Sequence, residues 1–175
     1  AVRIVVVPRH PQRFDAVVEL ARARGLAVAR KSNLTEATWP AGCRVLVGDS
    51  LGELFAYYAA ADVALIGGSL APLGGQNLIE ALAVGCPVLV GPHTFNFAEA
   101  SDTAVAVGAA RRAHDAADAL TLAAGLIADP AARRAMTDAG RGFVAAHRGA
   151  AGRMGAVLAR LTESGAASSL SPFAG

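Results

Sequence analysis

The stretch ADVALIGGSLAPLGGQNLIEALAVGCPVLVG, residues 61–91, decides the fold. Residues 63–66 are a short apolar run ending on glycine, the pattern of a buried strand. Residues 76–84 place apolar side chains at helical spacing and stop at Gly85, where a glycine ends a helix without steric penalty. Residues 87–90 form a second buried strand. Strand, helix and strand in this order require parallel pairing through a right-handed crossover.

The alternation continues outward. Upstream, the β-branched run 2–7 reads as a buried strand. Residues 11–24 form a helix with Phe14, Val17, Val18 and Ala21 on one face, ended by Gly25. Residues 26–29 and 44–47 are strands, and 50–60 a helix. Downstream, a helix begins near Ala98, 104–107 reads as a strand and 115–128 as a helix. From Pro130 the pattern is wholly helical, with a break expected near Gly149. The expected fold is α/β: a Rossmann-like, doubly wound parallel sheet with a helical C-terminal extension. Residues 1–163 are read as one domain. Residues 164–175, rich in Ser, Ala and Gly, are read as a disordered tail. The chain opens on Ala1 and enters a strand at once, so it reads as a domain excised from something longer.

Composition narrows the function classes. Of 175 residues, 54% are hydrophobic and 17% charged, which excludes general disorder. The net charge of +2 rests almost wholly on arginine, Lys31 being the only lysine, and is too small to argue for nucleic acid. A mean hydropathy of +0.42 invites a membrane reading. Gly, Pro and Asn break every apolar run below the length that crosses a bilayer, so a buried parallel sheet explains the value better. Cys43 and Cys86 read as reduced, buried thiols of a cytoplasmic protein.

In a doubly wound sheet, ligands bind at the carboxyl ends of the strands. The unusual residues collect in those loops. PRHP at 8–11 sets a permanent cation, Arg9, and an imidazole, His10, between rigid prolines. A phosphate or carboxylate would meet Arg9 through charge-assisted hydrogen bonds, although a Pro-fixed turn with Arg9 in solvent accounts for the same letters. No second ligand stands at metal-binding spacing from His10. Ser50-Leu51-Gly52-Glu53 has the Ser-x-x-Glu form of a capping box, which is the favoured reading there; a helix start carrying Gly52 would also offer free N–H groups to an anion.

The loop from Gly67 to Asn77 carries Gly67, Gly68, Gly74 and Gly75, which permit positive φ and close approach to a ligand. It is neither a P-loop nor a GxGxxG fingerprint, and Ser69 lacks the surroundings of a hydrolase nucleophile. Asn77 and Glu80, three apart, suit a helix cap or a ribose contact. In GPHTFNF at 91–97, Phe95 and Phe97 are expected to anchor the loop in the core, with His93 and Asn96 as polar candidates facing the cleft. Arg134, Arg141 and Arg148, seven apart, fall on one helical face, most simply a solvated one.

Taken together, PRHP at 8–11, GDSLGEL at 48–54, ADVALIGGSL at 61–70, GGQNLIE at 74–80 and GCPVLVGPHTFNF at 85–97 resemble the C-terminal half of the bacterial 3-deoxy-D-manno-octulosonic acid (Kdo) transferases. The likeness covers about residues 8–153 and is weaker after Ala98. It implies a GT-B glycosyltransferase of lipopolysaccharide biosynthesis that moves Kdo from CMP-Kdo to a lipid A precursor without a metal or cofactor. It further implies that this half holds the donor, while an acidic base and the acceptor site lie in a missing N-terminal domain. The fragment alone is then expected to be inactive, and the full-length protein to work on the cytoplasmic side of the inner membrane.

Carried over residue by residue, the donor contacts fall on Pro8 and Arg9, with His10 beside them; on Leu51, Gly52 and Glu53; and on Asn77, Leu78, Ile79 and Glu80, preceded by Gly75. Three positions depart from the family's usual letters. Leu51 replaces Met, with little change of size. Gln76 replaces His and cannot carry a proton's charge. Leu78 replaces Pro. Two other readings fit the loops: a GT-B domain for a different nucleotide sugar, and a non-catalytic nucleotide-binding module.

Overall fold

The computed structural model describes residues 2–35 and 38–147. The expected helix break near Gly149, the tail at 164–175 and Arg148 lie outside those residues. The chain divides into two compact units, Ala1–Ala61 and Asp62–Gly175.

The first unit holds a three-stranded parallel sheet in the order β1-β3-β2, with β1 at Ile4–Val6, β2 at Val28–Arg30 and β3 at Val45–Val47. The central strand β3 is buried at every residue. Helix α1, Phe14–Ala23, turns Val18 and Ala21 inward, as its apolar spacing requires. Val18 packs with Val45 and Val47, and Val6, Val17 and Val28 close over them. Gly25 ends the helix at φ +69, its N–H bonded to the Arg22 carbonyl at 2.8 Å and that of Leu26 to Ala21 at 3.1 Å. The strand expected to be buried at 2–7 is instead an edge strand with Ile4 and Val5 about 40% exposed (42% and 40%). β-branching favours a strand but does not say which side of it is covered.

Helix α2 runs Leu54–Ala60, four residues later than expected from Ser50. Gly52 sits at φ +83, a left-handed conformation that no helix interior accepts, so the helix starts after it. The capping box accordingly does not form; Glu53 is the N-cap and makes no side-chain cap bond.

The second unit repeats the scheme in the order β4-β5-β6, with β4 at Ala64–Leu65, β5 at Val88–Val90 and β6 at Ala110–Arg112, all parallel. The central strand β5 is buried throughout. Leu89 packs against Leu126 of α5, Ala116–Ala128, and Met136 of α6, Pro130–His147. Each such side chain, fully covered, contributes roughly 1.5–3 kcal/mol. Helix α3 is short, Ile79–Ala83: the Asn77 side chain accepts from the Ile79 N–H at its start, and Gly85 takes positive φ just past its end.

The strand expected at 104–107 is a correction. Those residues belong to helix α4, Ala98–Ala106, and its end. Ser101 and Ala104 are its buried residues, three apart, which is a helical rather than an alternating pattern. Gly108 at φ +76 stops the helix, and the strand follows it at β6. Two arginines in that strand obscure its apolar character in the sequence.

Candidate functional site

Strand register places the loops. In the first unit Val6, Val47 and Arg30 stand level across the three strands. The segments after β1, β3 and β2 therefore leave one edge of that sheet together, and the Gly48 N–H donates to the Val6 carbonyl at 2.9 Å. Pro8 is half-buried, Arg9 and His10 are exposed. The His10 carbonyl accepts from Arg13 at 3.0 Å, so Pro11 opens the turn that leads into α1. Among the described residues Arg9 makes no ion pair. Its guanidinium is free to meet an anion.

The β3 loop is organised from within. Tyr57 fills the space beside Gly48, its ring 2.9 Å from where a Cβ would stand. Glu53 accepts from the Ser50 hydroxyl and from the Tyr57 hydroxyl at 3.2 Å, with the Lys31 ammonium 3.8 Å away. The Ser50 bond first, and Tyr57 and Lys31 after it, hold the Glu53 carboxyl below its ordinary range against the opposing effect of burial. It is an ionised acceptor, 38% exposed. Leu51 beside it is 80% exposed. Lys31, Ser50 and Tyr57 are supports that the spacing argument missed; the solitary lysine directly after a strand was the available signal.

Behind this edge Asp49 is only 4% exposed. It accepts from the Ser32 N–H at 2.9 Å and the Ser32 hydroxyl at 2.6 Å, with Arg30 at 3.8 Å. Burial alone would raise its carboxyl, but the two Ser32 bonds and Arg30 outweigh it and hold the group below its ordinary range. A depressed folded value stabilises above the unfolded pKa of about 3.9 and is lost as pH falls through the folded value. Thermal melts from pH 7 to pH 3 should therefore show a drop below about pH 4 that flattens in Asp49→Asn. An equally steep acid drop in the variant would contradict this.

In the second unit Leu65, Leu89 and Arg111 are level, and the loops after β4 and β5 leave the same sheet edge. They are sewn together. The fully buried Ser69 hydroxyl donates to the Ile66 carbonyl at 2.6 Å and accepts from the Gly91 N–H at 2.8 Å. The His93 N–H reaches the Ser69 carbonyl at 2.9 Å, and the Asn96 N–H reaches Gly74 at 3.1 Å. Asn96 is thus a tie rather than a free polar group: its amide also donates to the Leu73 and Gly75 carbonyls. The expected anchoring by Phe95 does not occur, since that ring is 64% exposed; hydrogen bonds and the buried Thr94 fix the loop instead, and Phe97 is half-buried.

Gly75, at φ +74, lies buried against the His93 carbonyl and Thr94. Asn77 accepts from the Ile79 N–H at 3.0 Å and donates to Glu80 at 3.2 Å. Glu80 is half-exposed and Ile79 36% exposed. The Leu78 side chain is fully buried, so only its backbone can face a ligand. Arg134 and Arg141 are exposed on α6. Cys86 is buried and its thiol pushed up to about 12, first by burial and then by Asp62, which leaves it inert near neutrality. Cys43, expected to be buried, is partly exposed. Among the described residues no His, Cys, Asp or Glu cluster has the makings of a metal site, and no helix is long and apolar enough to cross a membrane.

No family model matches the chain. Individual proteins do. It is 57% identical over 150 residues, 86% of its length, to the 3-deoxy-D-manno-octulosonic acid transferase of Bordetella pertussis, and 37% identical over 152 residues to that of Haemophilus influenzae. It superposes with a TM-score of 0.75 and 34% identity on the crystal structure of the C-terminal CMP-Kdo binding domain of WaaA from Acinetobacter baumannii, covering 80% of this chain and 72% of that one. The chain belongs to the 3-deoxy-D-manno-octulosonic acid transferase family. Within that family it spans about a third of the length of the curated relatives it matches, 35% of each of the two above. The parallel α/β class read from the strand and helix order, and the GT-B class that the resemblance implied, agree with the domain it superposes on.

Proposed function

We propose that this chain is the donor-binding domain of a Kdo transferase and holds the CMP group of CMP-Kdo. One observation supports this above the rest: the match to 72% of a domain described as binding CMP-Kdo, at 34% identity. In the first unit, Arg9 supplies the cation for the phosphate, with Pro8 and His10 beside it, and Leu51, Gly52 and Glu53 add an apolar side chain, an open backbone and a carboxylate. In the second, Asn77 and Glu80 supply an amide and an acceptor suited to ribose hydroxyls, while Gly75, Leu78 and Ile79 contribute backbone.

The chemistry suits a leaving group of this kind. As the glycosidic bond breaks, negative charge grows on the departing phosphate, and a guanidinium there lowers the barrier. Transfer of Kdo to a lipid A precursor at the cytoplasmic face of the inner membrane, without a metal and with an acidic base outside these 175 residues, belongs to the same proposal and rests on the family.

Calorimetric titration of the chain with CMP, CDP and UDP tests it. CMP should bind, and UDP at least about tenfold more weakly. Equal affinity for UDP would point to a different nucleotide sugar and overturn the assignment.

A further inference from the structure

The loop after β5 contains two side chains that its own architecture does not use. Its backbone is held by Ser69, Gly74 and the Asn96 amide. Its flank is held by Arg112, which donates to the Gly91 carbonyl at 2.8 Å, to Thr94 Oγ1 at 3.2 Å and to Asp102 at 2.6 Å. Against this fixed frame no hydrogen bond engages the His93 imidazole among the described residues. The Phe95 ring, seated over Gly74, shows 64% of its surface to solvent. Both line a hollow of about 350 Å³ bounded by Thr94, Asp102 and Arg112. A rigid loop that presents an unpartnered imidazole and a bare aromatic face at the carboxyl end of a central strand has the form of a ligand surface.

We propose that this hollow receives the sugar of the donor, with the ring's C–H face on Phe95 and a hydroxyl or carboxylate oxygen on His93; this rests on the donor-domain reading above. The charge pattern selects the sugar over the phosphate. Arg112 is already neutralised by Asp102 at 2.6 Å, whereas Arg9 in the first unit has no such partner among the described residues. The size admits a monosaccharide. The position also fits: Gly75, two residues before Asn77, lies with its Cα hydrogen toward the His93 carbonyl, where a Cβ would stand 3.5 Å from it. No motif argument singled out Phe95 for this, because an aromatic after a strand reads first as core.

The test compares two ligands on three proteins. The chain, His93→Ala and Phe95→Ala are titrated with CMP and with freshly prepared CMP-Kdo, following backbone and aromatic resonances. Both substitutions remove exposed or unpartnered groups, so wild-type-like spectra are expected. In the unsubstituted chain CMP-Kdo should shift His93 and Phe95 beyond anything CMP does. Each variant should lose about tenfold in CMP-Kdo affinity while binding CMP within about twofold of the original. Unchanged CMP-Kdo binding in both variants would overturn the sugar assignment. So would an equal loss for CMP, which would place the base or ribose on Phe95. Binding of neither ligand by the unsubstituted chain would overturn the donor reading itself, and this inference with it.

Discussion

Gly91→Ala should cost the second unit at least about 3 kcal/mol, the largest stability loss expected of a methyl group added at any of the described glycines. A Cβ at Gly91 would fall on the backbone of Ser69 and Leu70 rather than on the far end of a flexible side chain. Neither loop can yield alone. The Gly91 N–H is bonded to the buried Ser69 hydroxyl, the Gly91 carbonyl to Arg112, and Ser69 in turn to Ile66. Overpacking alone costs about 1–3 kcal/mol, and each buried polar group left unpaired adds about as much. Urea denaturation checks it. A loss under about 1 kcal/mol would mean that the β4 and β5 loops are not held as tightly as these bonds require.

Arg9→Ala should leave the melting temperature unchanged and weaken CMP about 10- to 100-fold, the worth of a charge-assisted contact to phosphate. Stability should not move because Arg9 is exposed and makes no ion pair among the described residues. Arg9→Lys should keep the charge and lose the planar fork, giving an intermediate loss. Calorimetry on the three proteins reads all of this. If Arg9→Ala bound CMP as the parent does, the phosphate would have to be held elsewhere. If it bound weakly and also melted early, the residue would be structural.

Much of the fold was legible because β-branched runs ending on glycine have few alternatives. The runs before Gly48, Gly67 and Gly91 all proved to hold strands of parallel sheets. The readings that moved did so for local reasons. Helix α2 begins late because Gly52 takes positive φ, which glycine in a sequence permits without announcing, and α3 begins late because the Asn77 side chain accepts from the Ile79 N–H. The last strand was displaced because a four-residue apolar run fits a strand or a helix end equally, while Arg111 and Arg112 mask the true strand.

Site residues were legible as types and less so as roles. Arg9 and Glu80 could be named from the loops, but the bonds that tune Glu53 come from Ser50, Tyr57 and Lys31, and Lys31 lies more than twenty residues upstream. Phe95 was misplaced for a comparable reason: burial depends on what packs against a loop, and Asn96 took over the anchoring that an aromatic usually performs.

The measurement closest to the centre of this account is a chemical-shift titration of the isotope-labelled chain with CMP. CMP should give saturable shifts at Arg9 and Gly52 in the first unit and at Asn77 in the second, and none on α5. No saturable change at any of the three would contradict the donor-site assignment.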